Sequence, residues 1–227
     1  MGSADADKMR PMSTPHDAQD RSESQAGLTL VLASRSPRRA QLLADAGFAV
    51  VQRDPRFQDP PHPEAVEGEA VSDLATRVAA AGARSVDVDD DLLTRGRAGR
   101  IVIVAADTIV VDVEGRLLGQ PVDREDARRV IRSLTDAAHD VVTGVALLDV
   151  RSGAIQTFAD TAVVHLGRVD DASLEAYLDT GLWRGKAGGY NLFERQPHWP
   201  LRVEGDQTTV VGLPMRRLVE RLGAGRR

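Results

Sequence analysis

The stretch Leu28–Gly47, LTLVLASRSPRRAQLLADAG, decides how the chain is read. It opens on the short apolar run Leu28–Ala33, which predicts a buried strand. Ser34-Arg35-Ser36 breaks the run; Ser36 suits a helix N-cap, Pro37 the first helical position and Gly47 the stop. Ala40, Leu42, Leu43 and Ala46 give the helix its apolar side. The reading is strand, tight turn, helix. Such a turn presents free backbone N–H groups and the positive end of the helix dipole. Arg38 and Arg39 stand in the first turn, where acids are favoured instead. A bound anion would remove that conflict and use the N–H groups as well. The alternative is that both arginines point into solvent, at a cost of roughly a few tenths of a kcal/mol.

Composition narrows the classes. At 227 residues the chain holds one large domain, expected over 28–223, with a disordered tail over 1–27 and a frayed end over 224–227. A hydrophobic content of 42% is enough for a real core. Aromatics at 4% and a net charge of −5 argue against a nucleic-acid polymer as partner. The absence of cysteine excludes disulfides, thiol nucleophiles and Cys-ligated zinc. No apolar run has membrane-spanning length, so no membrane partner is expected. Residues 1–27 lack the apolar centre of a secretory signal, and Ala6 stands where myristoylation wants Ser or Thr. A cytoplasmic protein is the simplest expectation.

Outward from the opening stretch, Phe48–Arg53 predicts a second strand. The proline-rich segment from Asp54 to Ala70 reads as a long loop, either a binding loop or a spacer. Residues 68–86 predict a helix. The acids Asp87, Asp89, Asp90 and Asp91 lack the spacing and glycine of a calcium loop and read as a solvated turn. Ile101–Ala105 is the most strand-like run and continues to Val111, and Val113–Arg116 suits a hairpin turn. Asp107 interrupts that run, where a carboxylate is costly unless paired or functional. Asp123 caps a helix with Ala127, Val130, Ile131 and Leu134 on its apolar side. Asp140–Val150 and Ile155–Val169 predict an antiparallel hairpin, and Asp170 or Asp171 caps a short helix ended by Gly181. In Trp183–Tyr190, three glycines flank Lys186, which lets backbone approach a ligand beside a cation; a flexible turn with a solvent lysine is the alternative. Leu201–Val203 and Thr208–Val211 read as two strands, followed by a terminal helix. The five histidines lack paired metal-ligand spacing.

Taken in order, the segments Leu32–Arg39 (LASRSPRR), Ala105–Thr108 (AADT), Leu118-Gly119 with Pro121, Thr143–Val145, Tyr177 with Thr180-Gly181, Lys186–Gly188 with Tyr190, and Val211–Pro214 resemble the Maf family of nucleoside triphosphate pyrophosphatases. The resemblance covers nearly everything from Leu28 to the final helix. It implies an α/β fold similar to inosine triphosphatase: a mixed central sheet flanked by helices, with a cleft between two lobes. It implies hydrolysis of a non-standard or modified nucleoside triphosphate to the monophosphate and pyrophosphate, with magnesium or manganese as cofactor. Asp107 falls on the family's proposed general base. Arg38 and Thr108 fall on positions linked to substrate recognition, and Ser34, Ser36, Arg39 and Lys186 on positions around the triphosphate. A homodimer is implied only by the family.

The chemistry of the residues agrees. A triphosphate carries about four negative charges, and its cleavage depends on positioning and charge neutralisation. Asp107 would orient or deprotonate the attacking water, or hold the metal; the residues leave both roles open. The chain also departs from the family's pattern. Asp59-Pro60 replaces Asp-Glu, Gly82 and Gln120 replace lysines, Leu182 replaces a glutamate, and Leu192-Phe193-Glu194 replaces Ile-Gln-Gly. These losses give a second reading, a catalytically weak nucleotide-binding regulatory protein.

Overall fold

The computed structural model describes residues 27–57, 64–95, 99–195 and 198–224. The expected tail lies outside the described residues except for Gly27, as do Asp59-Pro60 and the last three residues. The opening stretch forms β1 (Leu28–Ala33) and α1 (Pro37–Asp45), joined by the turn through Ser36. Ser36 caps α1 with its hydroxyl oxygen, which accepts from the Arg39 N–H at 3.5 Å. Gly47 follows the helix at φ 81°, a left-handed conformation open to glycine without strain.

The chain continues as β2 (Val50–Arg53), α2 (Val71–Arg84), α3 (Asp90–Arg95), β3 (Arg100–Val111) and β4 (Leu117–Leu118). It then forms α4 (Arg124–Leu134), β5 (Ala137–Asp149), β6 (Ile155–Leu166) and α5 (Asp171–Asp179). A 3-10 turn (Ala187–Gly189), α6 (Leu192–Arg195), β7 (Leu201–Glu204), α7 (Gln207–Val211) and α8 (Met215–Ala224) complete it. The strands make one mixed sheet in the order β2-β1-β3-β5-β6-β7, with β4 paired to β3. β1 is parallel to both β2 and β3, while β3, β5, β6 and β7 run antiparallel to one another. The expected mixed sheet flanked by helices is present.

Period-two alternation sorts the side chains of the central strands. Leu28, Leu30 and Leu32 of β1, with Val102, Val104 and Ala106 of β3, pack beneath Leu43 of α1 and Leu218 and Leu222 of α8. Val31, Ala33, Ile101, Ile103 and Ala105 point the other way, against Ala79, Ala80 and Ala83 of α2 and Leu92 of α3. Farther along, Val110, Val141 and Val164 meet α4, α5, Tyr177, Trp183 and Trp199 in a second cluster.

Three expectations need correction. The solvated turn at Asp87–Asp91 is partly helical, because Asp89 accepts from the Leu92 N–H at 2.8 Å and starts α3 while Leu92 is buried. Thr208–Val211 lies in α7 and is not a strand: Asp206 caps it by accepting from the Thr208 N–H at 2.9 Å, and Gly212 closes it at φ 107°. β6 stops at Leu166, where its pairing with β7 also ends.

The sheet and α2 meet most tightly at Gly144, opposite Asp107 in the β3–β5 register. A Cβ added there would lie 2.3 Å from the Ala75 carbonyl carbon and 2.4 Å from the Thr76 nitrogen. Gly144→Ala must therefore push α2 off the sheet. The expected cost is about 1–3 kcal/mol, read as a fall of roughly 3–10 °C in the thermal midpoint; an unchanged midpoint would show that α2 yields freely.

Candidate active site

The β1–β3 ladder ends at Leu32↔Val104, and the β3–β4 ladder begins at Val110↔Leu118. Among the described residues no strand pairs with Ala105–Ile109 on that edge of β3. A cleft of about 680 Å³ opens there, at the carboxyl end of β1 and the start of α1. This is where open α/β sheets bind ligands, because neighbouring strands diverge and a helix N-terminus faces the gap.

All seven candidate site residues line this one cleft: Ser34, Ser36, Arg38, Arg39, Asp107, Thr108 and Lys186. They arrive from three places in the chain, and their surroundings differ. Asp107 sits half-buried on β3. Arg38 is half-buried, and among the described residues it has no hydrogen-bond or ion-pair partner. Burial lowers its pKa, opposed by the charge of Glu194. Lys186 is buried, and its pKa is likewise lowered by burial, with Glu194 opposing and Arg38 adding to the shift. A buried cation with a depressed pKa gains from an arriving anion.

Arg39 plays a different part. Its Nε donates to the Gly212 carbonyl at 2.8 Å and its guanidinium nitrogens donate to Ser34 Oγ at 3.2 Å and Thr108 Oγ1 at 3.3 Å. It braces α1 against β3 and the end of α7. The brace continues through side chains: Thr108 Oγ1 lies 3.0 Å from Thr143 Oγ1, which donates to the Thr209 carbonyl at 2.8 Å. Since Thr143 spends its proton on Thr209, Thr108 donates to Thr143 and accepts from Arg39. Thr209 in turn donates to Asp160 at 2.6 Å, and Asp160 pairs with Arg217 at 3.2 Å. Thr209 carried no sequence signal, since its part depends on α7 folding across β5.

The lysine loop is a packed element. Gly188 and Gly189 have φ of 72° and 74°, and added Cβ atoms would meet Val110 at 3.1 Å and Ile131 at 3.2 Å. Their freedom serves packing against the protein's own core, while Gly185, with open space around it, lines the cleft. The Gly188 N–H donates to the Gly119 carbonyl at 3.1 Å. Tyr177 donates to the Gly189 carbonyl at 3.1 Å, and the Arg195 guanidinium covers the Tyr177 ring at 4.7 Å. Tyr190, at the back of the cleft, has its hydroxyl 2.7 Å from His139 Nε2.

Arg184, Asn191 and Gln120 also line the cleft and were not among the candidates. Among the described residues, Asp107 is the one acidic side chain on the lining, and no three potential metal ligands cluster. No helix among the described residues is long and apolar enough to cross a membrane.

The chain was compared with known proteins. A family model described as Maf-like protein matches residues 29–224. The chain belongs to the Maf-like family. It is 39% identical over 198 residues to the dTTP/UTP pyrophosphatase of Geobacter sulfurreducens, covering 86% of this chain and 97% of that protein. It is 38% identical over 201 residues to the dTTP/UTP pyrophosphatase of Salinibacter ruber, covering 88% and 92%. Among solved structures, a dITP/XTP pyrophosphatase from Mycobacterium abscessus shares 16% identity at a TM-score of 0.34, over 62% of this chain and 75% of that one.

This Maf-like cleft rests on a buried neutral histidine. Burial lowers the His139 pKa from 6.5 to about 4. Between those values the unfolded chain binds a proton that the folded chain refuses, so stability rises with pH through this window and is lost on acidification. The loss should approach roughly 3 kcal/mol by pH 4. Urea midpoints at pH 7 and pH 4.5 should show a steeper fall for the wild type than for His139→Gln; parallel falls would mean that His139 does not titrate in this way.

Proposed function

We propose that this chain hydrolyses a nucleoside triphosphate to the monophosphate and pyrophosphate. The carrying observation is that Asp107, Arg38 and Lys186, from three separate segments, meet on one cleft beside the α1 N-terminus. Arg38 and Lys186, with the α1 N–H groups, neutralise the phosphates. Asp107 takes a proton from water as its oxygen bonds to the α-phosphorus, and the bond to the β-phosphate oxygen breaks to release pyrophosphate. Ser34, Ser36 and Thr108 hold the rim through the Arg39 brace. The substrates in the relatives' names make dTTP and UTP the first pair to test, with modified pyrimidine triphosphates beside them.

A divalent ion fits as a companion of the substrate. Magnesium commonly binds through one or two carboxylates plus substrate phosphates, without a dedicated protein cage. One carboxylate on the cleft wall matches that donor set. In the alternative role left open for it, Asp107 would hold magnesium or manganese together with phosphate oxygens, and the ion would add charge neutralisation there. The chain's cytoplasmic setting and a homodimeric state remain part of the proposal.

A second reading, a nucleotide-binding protein with weak turnover, is favoured by Gly82 and Gln120. Both line the cleft where the family resemblance expects lysines, and among the described residues a Cβ at Gly82 would meet only Ala105, at 3.7 Å. Two lost cations would weaken phosphate contacts of about 1.5–3 kcal/mol each.

Pyrophosphate release from dTTP, UTP and modified triphosphates with magnesium or manganese tests both readings. Asp107→Asn should lower kcat by about 10²–10⁴-fold, with nucleotide still bound. Arg38→Ala should instead act on KM, raising it about 10- to 100-fold. Nucleotide binding without turnover in the wild type would establish the second reading.

A further inference from the structure

Glu194 is an acidic neighbour of the cleft that the proposed reaction leaves unused. Its position is set locally: the Asn191 side-chain amide donates to Glu194 Oε1 at 2.9 Å, and Asn191 Oδ1 accepts from the Phe193 N–H at 3.1 Å. Its other oxygen, Oε2, is buried without a hydrogen bond and lies 3.9 Å from Lys186 Nζ. That is an ion pair beyond hydrogen-bond reach, so attraction holds it without a directional bond. The Lys186 ammonium instead donates to the Leu182 carbonyl. Arg195, beside Glu194 in sequence, is engaged with the Tyr177 and Trp199 rings at 4.7 and 5.7 Å. Arg38 has no ion-pair partner among the described residues, and the charge of Glu194 reaches it.

Two cations inside a partly closed cleft are costly without a counter-charge. A loosely held carboxylate supplies one while the cleft is empty. A triphosphate would take Lys186 and Arg38 for itself and leave Glu194 as a like charge beside its phosphates. We propose that Glu194 is an internal counter-anion of the phosphate subsite, held against Lys186 in place of substrate phosphate and so limiting the site's affinity for polyphosphate. This rests on the cleft being a phosphate site. Glu194 is a specificity-setting residue here and takes no part in the bond-breaking step. It selects for ligands with enough charge to displace it, favouring a triphosphate over the monophosphate product.

The test is calorimetric binding of inorganic tripolyphosphate, without metal, to the full chain and to Glu194→Gln. The glutamine keeps an oxygen for Asn191 and removes only the charge. The variant should bind about tenfold more tightly at low salt, with the gain shrinking as ionic strength rises. Its KM for the triphosphate that the wild type turns over should fall in step, and its inhibition by the monophosphate should strengthen. Thermal midpoints confirm folding, and Glu194→Ala provides a second charge removal should the glutamine variant unfold. Unchanged or weaker tripolyphosphate binding by folded variants, with the wild type binding normally, overturns this role and leaves the pyrophosphatase reading intact. Failure of wild type and variants alike to bind tripolyphosphate overturns the phosphate site and the counter-anion together.

Discussion

The site depends on where β1 stops pairing with β3. The parallel ladder ends at Leu32↔Val104, because the three residues Ser34–Ser36 after the strand turn the chain into α1. β3 continues for seven residues beyond that point, held on its other edge by β5. A strand supported on one edge and bare on the other is rigid enough to fix a carboxylate and open enough to admit a ligand. Asp107 lies in that interval. The cost of a polar group in an apolar strand is thereby reduced, since its neighbour is a cleft instead of another strand.

The same break explains the brace around Arg39. With no strand among the described residues beside Ala105–Ile109 on that edge, something else must tie α1 to β3. Arg39 does so by reaching Thr108 and the Gly212 carbonyl, and threonines 108, 143 and 209 carry the connection across the sheet. Two adjacent arginines thus divide the labour. Arg39 holds the frame through three hydrogen bonds from its guanidinium, while Arg38 carries its charge to the cleft. The opposing wall is stiff for a different reason. Tyr177, Trp199 and Arg195 stack beneath the lysine loop, and burial pushes the Tyr177 and Tyr190 hydroxyls toward their neutral forms.

Much of this was legible from residue order alone. The strand–turn–helix of Leu28–Gly47, the odd acid in Ile101–Val111 and the glycine-flanked lysine each announce themselves through local patterns. A strand needs apolar continuity, a helix start needs a cap, and a buried carboxylate needs a reason. The misread segments failed where local signals compete. Thr208–Val211 is β-branched and reads as a strand, yet Asp206 and Gly212 cap it into a helical turn that lies over β5 and β6. The acids at Asp87–Asp91 read as solvent-facing, and Asp89 does start a helix, but the buried Leu92 decides that the turn packs.

The sequence by itself determined the central strands, the capped first helix, the family resemblance and the residue types the chemistry needs. These rest on interactions within about a dozen residues, which a linear pattern records. Only the tertiary structure decided that Asp107, Arg38 and Lys186 share one cleft, that Arg39 braces α1 against β3, and that Gly188 and Gly189 serve the core. It alone set Glu194 beside Lys186. Those outcomes depend on which strand edges pair and which side chains are excluded from water, and both are settled only when distant segments meet.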